Sequence, residues 1–218
     1  MINLAVHGIG RPARALDPGE EERWVSVEQF EQVLDIVTER DDVHLTFDDG
    51  NASDVEIALP RLVERELIAE FFPLAGRIGQ RGSVDSDGLR ELARAGMTIG
   101  SHGWDQRDWR RLDGRHAHQE LEVAPQVLGE LCGELVERFS LPFGAYDRRV
   151  LDRLKRAGAT RVYTSDGGVA HEERWLQARI ELPHDLDQCW IDDTLSITAG
   201  LYRRVGRAAA RFVGFAGI

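Results

Sequence analysis

The run His44-Leu45-Thr46-Phe47-Asp48-Asp49-Gly50 takes a strand straight into two adjacent carboxylates and a glycine. Val43 to Phe47 alternates well enough for a buried strand, and Gly50 can take the φ > 0 geometry of a sharp exit. Two acids at a strand end are costly to bury unless a cation or a shared proton compensates, which points to metal binding or general base chemistry. Asp-Gly is equally a strong hairpin signal, so read alone the same residues make a simple turn.

The flanking sequence places this run in an alternating pattern. Before it, Leu4 to His7 reads as a strand, followed by a Gly/Pro/Arg-rich loop to about residue 23. Ser26-Val27-Glu28-Gln29 is a capping box that opens a helix burying Phe30, Val33, Leu34 and Val37. After it, Ser53-Asp54-Val55-Glu56 reads as a second capping box, with Pro60 disturbing the helix that carries Ile57, Leu59, Leu62 and Val63. Strands over 67–74, 97–101, 135–139 and 161–164 alternate with helices over 87–95, 116–133 and 148–157, two of them stopped by Gly96 and Gly158. An Arg/Ala-rich amphipathic helix is expected over 203–213, docked on the body. Strand and helix alternating at this spacing mean parallel strands with crossover helices, an α/β fold whose active residues collect at the carboxyl ends of the strands.

Two further segments fall on that rim. Ile99-Gly100-Ser101-His102-Gly103-Trp104-Asp105-Gln106 brings a histidine, a candidate metal ligand once it shares a rim with two carboxylates. In Phe139-Ser140-Leu141-Pro142-Phe143-Gly144-Ala145-Tyr146-Asp147, Pro142 and Gly144 fix a tight turn whose backbone N–H groups can face an oxyanion. That turn also reads as an ordinary strand-to-helix loop with Asp147 as N-cap.

Composition narrows the class. The 218 residues suit one domain, 1–218, and a formal net charge of −11 argues against a nucleic-acid partner. Two distant cysteines, Cys132 and Cys189, give no disulfide framework or metal spacing. The start lacks a basic, then apolar leader, and no stretch approaches the roughly 20 apolar residues of a membrane span, so the expectation is a cytoplasmic protein without a membrane partner.

Together these segments resemble the polysaccharide deacetylases, the NodB-homology group of metal-dependent carbohydrate esterases. Thr46-Phe47-Asp48-Asp49-Gly50 matches the family's first motif, Ser101-His102 the start of its second, and Pro142-Phe143-Gly144 the core of its third. Glu70-Phe71-Phe72-Pro73-Leu74 resembles its strand with a Phe-Phe pair, and order and spacing hold from about 43 to 165. The resemblance implies a distorted (β/α) barrel with about seven parallel strands, acting on an N- or O-acetyl group of a carbohydrate. It implies Asp48 as general base and Asp49 and His102 as ligands of a divalent ion, zinc or a similar metal. The backbone N–H of Phe143 would then meet the oxyanion.

The chain departs from that pattern in two places. Gln106 stands where the second histidine of the pair is expected, and an amide oxygen is a weaker zinc ligand than imidazole. The metal would then bind weakly, recruit Asp105, or be lost, leaving a non-catalytic carbohydrate-binding relative. Ser140 stands where the third motif carries an arginine for the base; either Arg138, Arg107 or Arg179 supplies that charge from elsewhere, or the like charge of Asp49 raises the Asp48 pKa unless the metal offsets it. Leu182-Pro183-His184 fits the family's Leu-x-His, which implies His184 as general acid, and Asp166 reads as its orienter or as a turn residue. A metal-free pair of Asp48 with His184 is a third reading. Trp104 is a candidate sugar-stacking residue; Trp109 and Trp190 read equally as core, and His116 and His118 as a solvated helix face.

Overall fold

The computed structural model describes residues 1–196, so the helix expected over 203–213 lies outside the described residues. The chain opens with β1 (Ile2–Val6), two short strands β2 (Gly8–Ile9) and β3 (Trp24–Val25), and helix α1 (Val27–Val37). Ser26 and Gln29 form the expected capping box, and the four predicted apolar residues are buried. β4 (Val43–Asp49) follows, then α2 (Leu59–Glu64), β5 (Ala69–Pro73), α3 (Ser86–Arg94) and β6 (Thr98–Ile99). The chain continues through α4 (Gly114–His118), α5 (Ala124–Cys132), β7 (Arg138–Ser140), α6 (Arg148–Arg156) and β8 (Arg161–Tyr163). It reaches β9 (Leu176–Gln177), β10 (Ile180–Glu181) and α7 (Gln188–Ser196).

Five strands pair in the order β10-β1-β4-β5-β6 and three in the order β7-β8-β9, every pairing parallel. Ser101 bridges Phe139, which brings the end of β6 to β7. The run 176–181 touches both sheets, Gln177 pairing with Tyr163 and Glu181 with Ala5. Because β4 is parallel to both its neighbours, Asp49-Gly50 is not a hairpin turn.

Alternation sorts the side chains. Ile2, Leu4 and Val6 of β1 and Val43, Leu45 and Phe47 of β4 join α1 in the main apolar core. Asn3 and Thr46 point the other way, Asn3 donating to Gln177 Oε1 at 3.3 Å and Thr46 Oγ1 to the Leu4 carbonyl at 2.8 Å. A second core under β7 and β8 holds Trp109, Phe139, Val150, Leu154 and Val162. Phe47 is fully buried, stacked on Phe71 at 4.4 Å and edge-on to Phe30 at 6.0 Å. Phe47→Ala is therefore expected to cost about 3–5 kcal/mol in chemical denaturation; a cost under about 1 kcal/mol would show that this contact does not anchor the core.

Two expectations fail locally. Ser53 is already helical and makes no cap; its hydroxyl accepts the Ile9 N–H at 3.3 Å, so the second capping box is absent. The chain instead enters α2 through a π-helical turn, Asp54–Ala58, and Pro60 sits harmlessly in the first turn of α2. The helix expected over 116–133 is likewise interrupted by a π-helical turn, Gln119–Val123. Each turn buries one acid, Asp54 and Glu120. No helix among the described residues is long and apolar enough to cross a membrane.

Candidate active site

On a regular strand, Asp48 and Asp49 would face opposite sides of the sheet. Asp49 instead has φ 72°, left-handed for an L-residue, and Gly50 follows at φ 71°. That break in the pleat lets both carboxyls share the rim, at a backbone cost of about 1–2 kcal/mol that aspartate tolerates better than most residues. Both are 2% exposed. A Cβ on Gly50 would come within 2.6 Å of Pro73 Cβ, so the exit has room only for glycine.

Asp48 is held by an arginine from the other end of the chain. Arg179, 1% exposed and lying between β9 and β10, donates to Asp48 Oδ1 at 2.8 Å and Oδ2 at 2.7 Å. It also donates to Ser140 Oγ at 2.8 Å, Thr46 Oγ1 at 3.1 Å and the Thr164 carbonyl at 3.1 Å. Ser140 Oγ in turn donates to Asp48 Oδ2 at 2.9 Å. Burial pushes the Asp48 carboxyl up, but Arg179 and then His102 outweigh it and hold the group well below the usual carboxylate range. Of the three candidate partners for the base, Arg138 pairs with Glu70 and Arg107 with Asp105. Arg179 alone reaches it. Ser140 keeps a part in that network, as the hydroxyl between the two charges.

Asp49 has the opposite electrostatics. Burial pushes its carboxyl up, opposed by His102 and reinforced by Asp48, and its Oδ2 is buried with no partner. His102 Nδ1 lies 3.0 Å from the Ser140 carbonyl, which requires a proton on Nδ1; in the neutral ring the lone pair is then on Nε2. That Nε2 faces Asp49 Oδ1 at 3.6 Å. Two acceptors turned on one another beside a bare carboxylate oxygen are what a divalent cation satisfies. Gln106 comes to the same oxygen, its Nε2 donating to Asp49 Oδ1 at 3.1 Å. Half a turn of the amide would present Oε1 instead, so Asp49, His102 and Gln106 offer an oxygen–nitrogen–oxygen set that fits such an ion. Among the described residues, no group of three or more His, Cys, Asp or Glu is disposed to hold a metal. The third side-chain donor beside Asp49 and His102 is therefore the Gln106 amide. Asp105 turns to Arg107 instead.

The loop carrying His102 and Gln106 is built on Glu120, a residue with no signal in the sequence beyond its place on a helix. Its Oε2 accepts the Trp104 N–H at 2.7 Å and its Oε1 the Asp105 N–H at 3.2 Å. Burial pushes this carboxyl up, and those two N–H groups partly offset the shift. Gly103, at φ 88°, makes the approach possible: a Cβ there would lie 2.2 Å from Glu120 Oε2. Asp54 is a second acid that sequence reading passed over. It is buried, its Oδ1 lacks a partner, and burial with Asp49 and Asp48 nearby pushes it well above the usual range.

Phe143 has φ 59°, so like Asp49 it holds a left-handed backbone at the rim, and the residue is 53% exposed. Trp104 is half-buried on the main core, over Gly76. Trp109 is core, at 1% exposure. His116 and His118 pair with Asp113 and Glu122 on their own helical segment. Asp166 accepts from Tyr146 Oη at 2.8 Å and Thr164 Oγ1 at 3.0 Å, and among the described residues it makes no hydrogen bond with His184. His184 itself is exposed. Its backbone bonds to Glu22 and Gln29, and it makes no hydrogen bond with Asp48.

Comparison with known proteins points to one family. Residues 35–162 match the family described as polysaccharide deacetylase. The chain is 24% identical over 136 residues to protein YxkH of Bacillus subtilis (strain 168), covering 62% of this chain and 49% of that one. It is 26% identical over 124 residues to the chitooligosaccharide deacetylase of Rhizobium leguminosarum bv. trifolii, covering 56% of each. The chain thus spans about half the length of the curated relatives it matches. Its fold is similar to that of the Streptococcus pyogenes deacetylase PplD, solved in complex with acetate, with a TM-score of 0.76 at 17% identity over 89% of this chain and 97% of that one. It is also similar to a de-N-acetylase from Aggregatibacter actinomycetemcomitans, with a TM-score of 0.70 at 14% identity over 88% and 98%.

Proposed function

The chain belongs to the polysaccharide deacetylase family, and from that premise we propose that it is a metal-dependent hydrolase removing an N- or O-acetyl group from a carbohydrate. The observation that carries the reading is the asymmetry of the paired acids. Asp48 is locked as a carboxylate by Arg179, while Asp49 keeps a buried oxygen free beside His102 Nε2.

In this reading Asp49, His102 and Gln106, the last through Oε1, hold a divalent ion, zinc or a similar metal. When bound, the ion lowers the pKa of water to about 7 and polarises the acetyl carbonyl. Asp48 takes the proton of the attacking water. It is a weak base by its own affinity, but Arg179 favours its ionised form, and two guanidinium bonds and the Ser140 hydroxyl fix its direction. The Phe143 N–H meets the tetrahedral oxyanion, its turn already left-handed. The exposed Phe143 ring and half-buried Trp104 give a sugar apolar faces to rest on. The distorted barrel of about seven strands belongs to the same proposal. What supports it is the Ser101–Phe139 bridge on one side and the two-sided pairing of 176–181 on the other.

One observation favours a second reading, a sugar-binding relative without metal: Gln106 turns a donor, not an acceptor, toward Asp49. N-acetyl chitooligosaccharide turnover with zinc, manganese or cobalt added separates the two. The hydrolase reading expects turnover abolished by chelation and lowered about 10²–10⁴-fold by Asp48→Asn. Sugar binding with no turnover in any metal would establish the second reading instead.

A further inference from the structure

We infer that the cleft between the loops 10–20 and 76–83 is an anion subsite, so that the substrate is a glycan with a carboxylate or sulfate group beside the acetylated sugar. The inference deepens the hydrolase reading above and rests on it for the reaction.

The cleft holds about 360 Å³ and is lined by Pro12, Ala13, Arg14, Ala15 and Arg81. One wall is mounted on the exit from the acid pair. The Ala52 N–H donates to the Gly82 carbonyl at 3.0 Å, the Val84 N–H donates to the Gly50 carbonyl at 2.9 Å, and Asn51 bridges Ser83 in antiparallel fashion. Asn51 ties the other wall to the same place. Its Oδ1 accepts from Arg14 Nη2 at 2.9 Å, while its Nδ2 donates to the His7 carbonyl at 2.7 Å. The walls meet at Gly82, where a Cβ would come within 2.9 Å of Arg14 Cβ. The Trp104 ring lies over Gly76, one residue before Arg77, so the loop 76–83 leads from that sugar-facing ring to the cleft.

Charge selects the ligand. The chain carries 27 Lys and Arg against 38 Asp and Glu, yet these two loops carry four arginines, Arg11, Arg14, Arg77 and Arg81, against two acids, Asp17 and Glu20. Both acids are taken, Glu20 by Arg14 and Asp17 by Arg77 at 3.1 Å. Arg81 and Arg11 are exposed, and among the described residues neither makes an ion pair. Arg14 also keeps a buried Nε with no hydrogen-bond partner, a donor the protein itself leaves unmet. An unpaired guanidinium at a rim suits a carboxylate or sulfate, because its planar fork gives two parallel bonds to such a group. The acidic remainder of the chain repels anions, but that field is screened over roughly 8 Å at physiological salt, so the local excess of arginine decides.

The cleft flanks the reacting centre without entering it. Arg14 bonds Asn51 and Glu20, not Asp49. The charges of Glu20 and Arg77 nonetheless reach the Asp49 carboxyl, and that of Asp49 reaches Arg14. An anionic group held there belongs to a neighbouring sugar, with the acetyl group left to the acid pair.

Three probes on one backbone test this: N-acetyl chitotetraose, its 6-O-carboxymethyl derivative and its 6-O-sulfate. With metal-loaded wild type at low salt, kcat/KM is expected to be about fivefold or more higher for an acidic probe than for the neutral parent, the gain fading at about 0.5 M NaCl. In Arg81→Gln the acidic-to-neutral ratio is expected to fall to about one, in Arg81→Lys to keep part of the gain, and in Arg81→Glu to drop below one. A gain confined to the carboxymethyl probe names a carboxylate subsite and one confined to the sulfate a tetrahedral-anion subsite; either upholds the inference. Equal turnover of all three probes by wild type, or a gain that survives Arg81→Glu, would overturn it. If wild type cleaves none of them, the hydrolase reading falls and calorimetric binding of the same probes decides the cleft. Tighter binding of the acidic probes that is lost in Arg81→Gln upholds the anion subsite, and equal binding overturns it.

Discussion

Arg179→Met is expected to abolish deacetylation and to cost about 3–5 kcal/mol of stability, the range for removing one partner of a buried ion pair. The arginine is 1% exposed, and among the described residues its side chain bonds to buried groups alone: both oxygens of Asp48, two hydroxyls and one carbonyl. Methionine fills much of the volume, so what remains is an uncompensated carboxylate in a dry site. The loss depends on pH, and its sign can be worked out. In wild type the Asp48 pKa is depressed below its unfolded value, so its contribution is fully present above about pH 4 and fades as pH falls toward the folded pKa. Without Arg179, burial dominates and the folded pKa rises above the unfolded one. The folded variant then binds a proton that wild type does not, and its stability falls as pH rises from about 4. The deficit against wild type, already present near pH 4, should therefore grow as pH rises and be largest at neutral pH. Urea denaturation with a chelator present, at pH 4.5 and 7.5, reads this directly; a deficit that is flat or larger in acid would show that Arg179 acts by packing alone.

That arginine also marks where sequence reading stopped. The strand into Asp48-Asp49-Gly50, the α1 capping box and the helices ending at Gly96 and Gly158 were legible because each is carried by local periodicity and caps. Arg179 lies 131 residues from Asp48, between two-residue strands too short to show alternation. It could be named among three arginines, but only the fold selects one. The π-helical turns were invisible for a related reason. Ser53-Asp54-Val55-Glu56 has capping-box composition, yet its serine is taken by the Ile9 N–H and its aspartate is buried near the site. Glu120 reads as one more helical glutamate until Gly103 brings the His102 loop onto it. The left-handed backbone of Asp49 leaves no trace in composition either, although it is what lets adjacent acids act together.

Gln106→His is expected to raise zinc affinity by at least about tenfold, in line with the preference of zinc for imidazole over a neutral amide oxygen. The geometry favours the exchange. Imidazole Nε2 stands as many bonds from Cα as the amide Nε2 that already lies 3.1 Å from Asp49 Oδ1, and residue 106 is only half-buried, so a ring can be placed without opening the core. His102 needs no adjustment, because its Nδ1 is committed to the Ser140 carbonyl and its Nε2 already faces the site. Two readouts are needed: metal content of the purified proteins, and competition against a chromophoric chelator at pH 7–8. Near-stoichiometric zinc in wild type, bound within about threefold as tightly as in the variant, would make the rotated amide an adequate third ligand. No stoichiometric metal in wild type, with a full complement in the variant, would sink the simple metal-dependent reading of the native chain. The position would then be a loss by one substitution, in which a hydrogen-bond donor from Gln106 supplies part of the compensation that a cation would give Asp49. The chain would keep the base, its arginine and the loop built on Glu120 around a centre that binds a sugar without cleaving it.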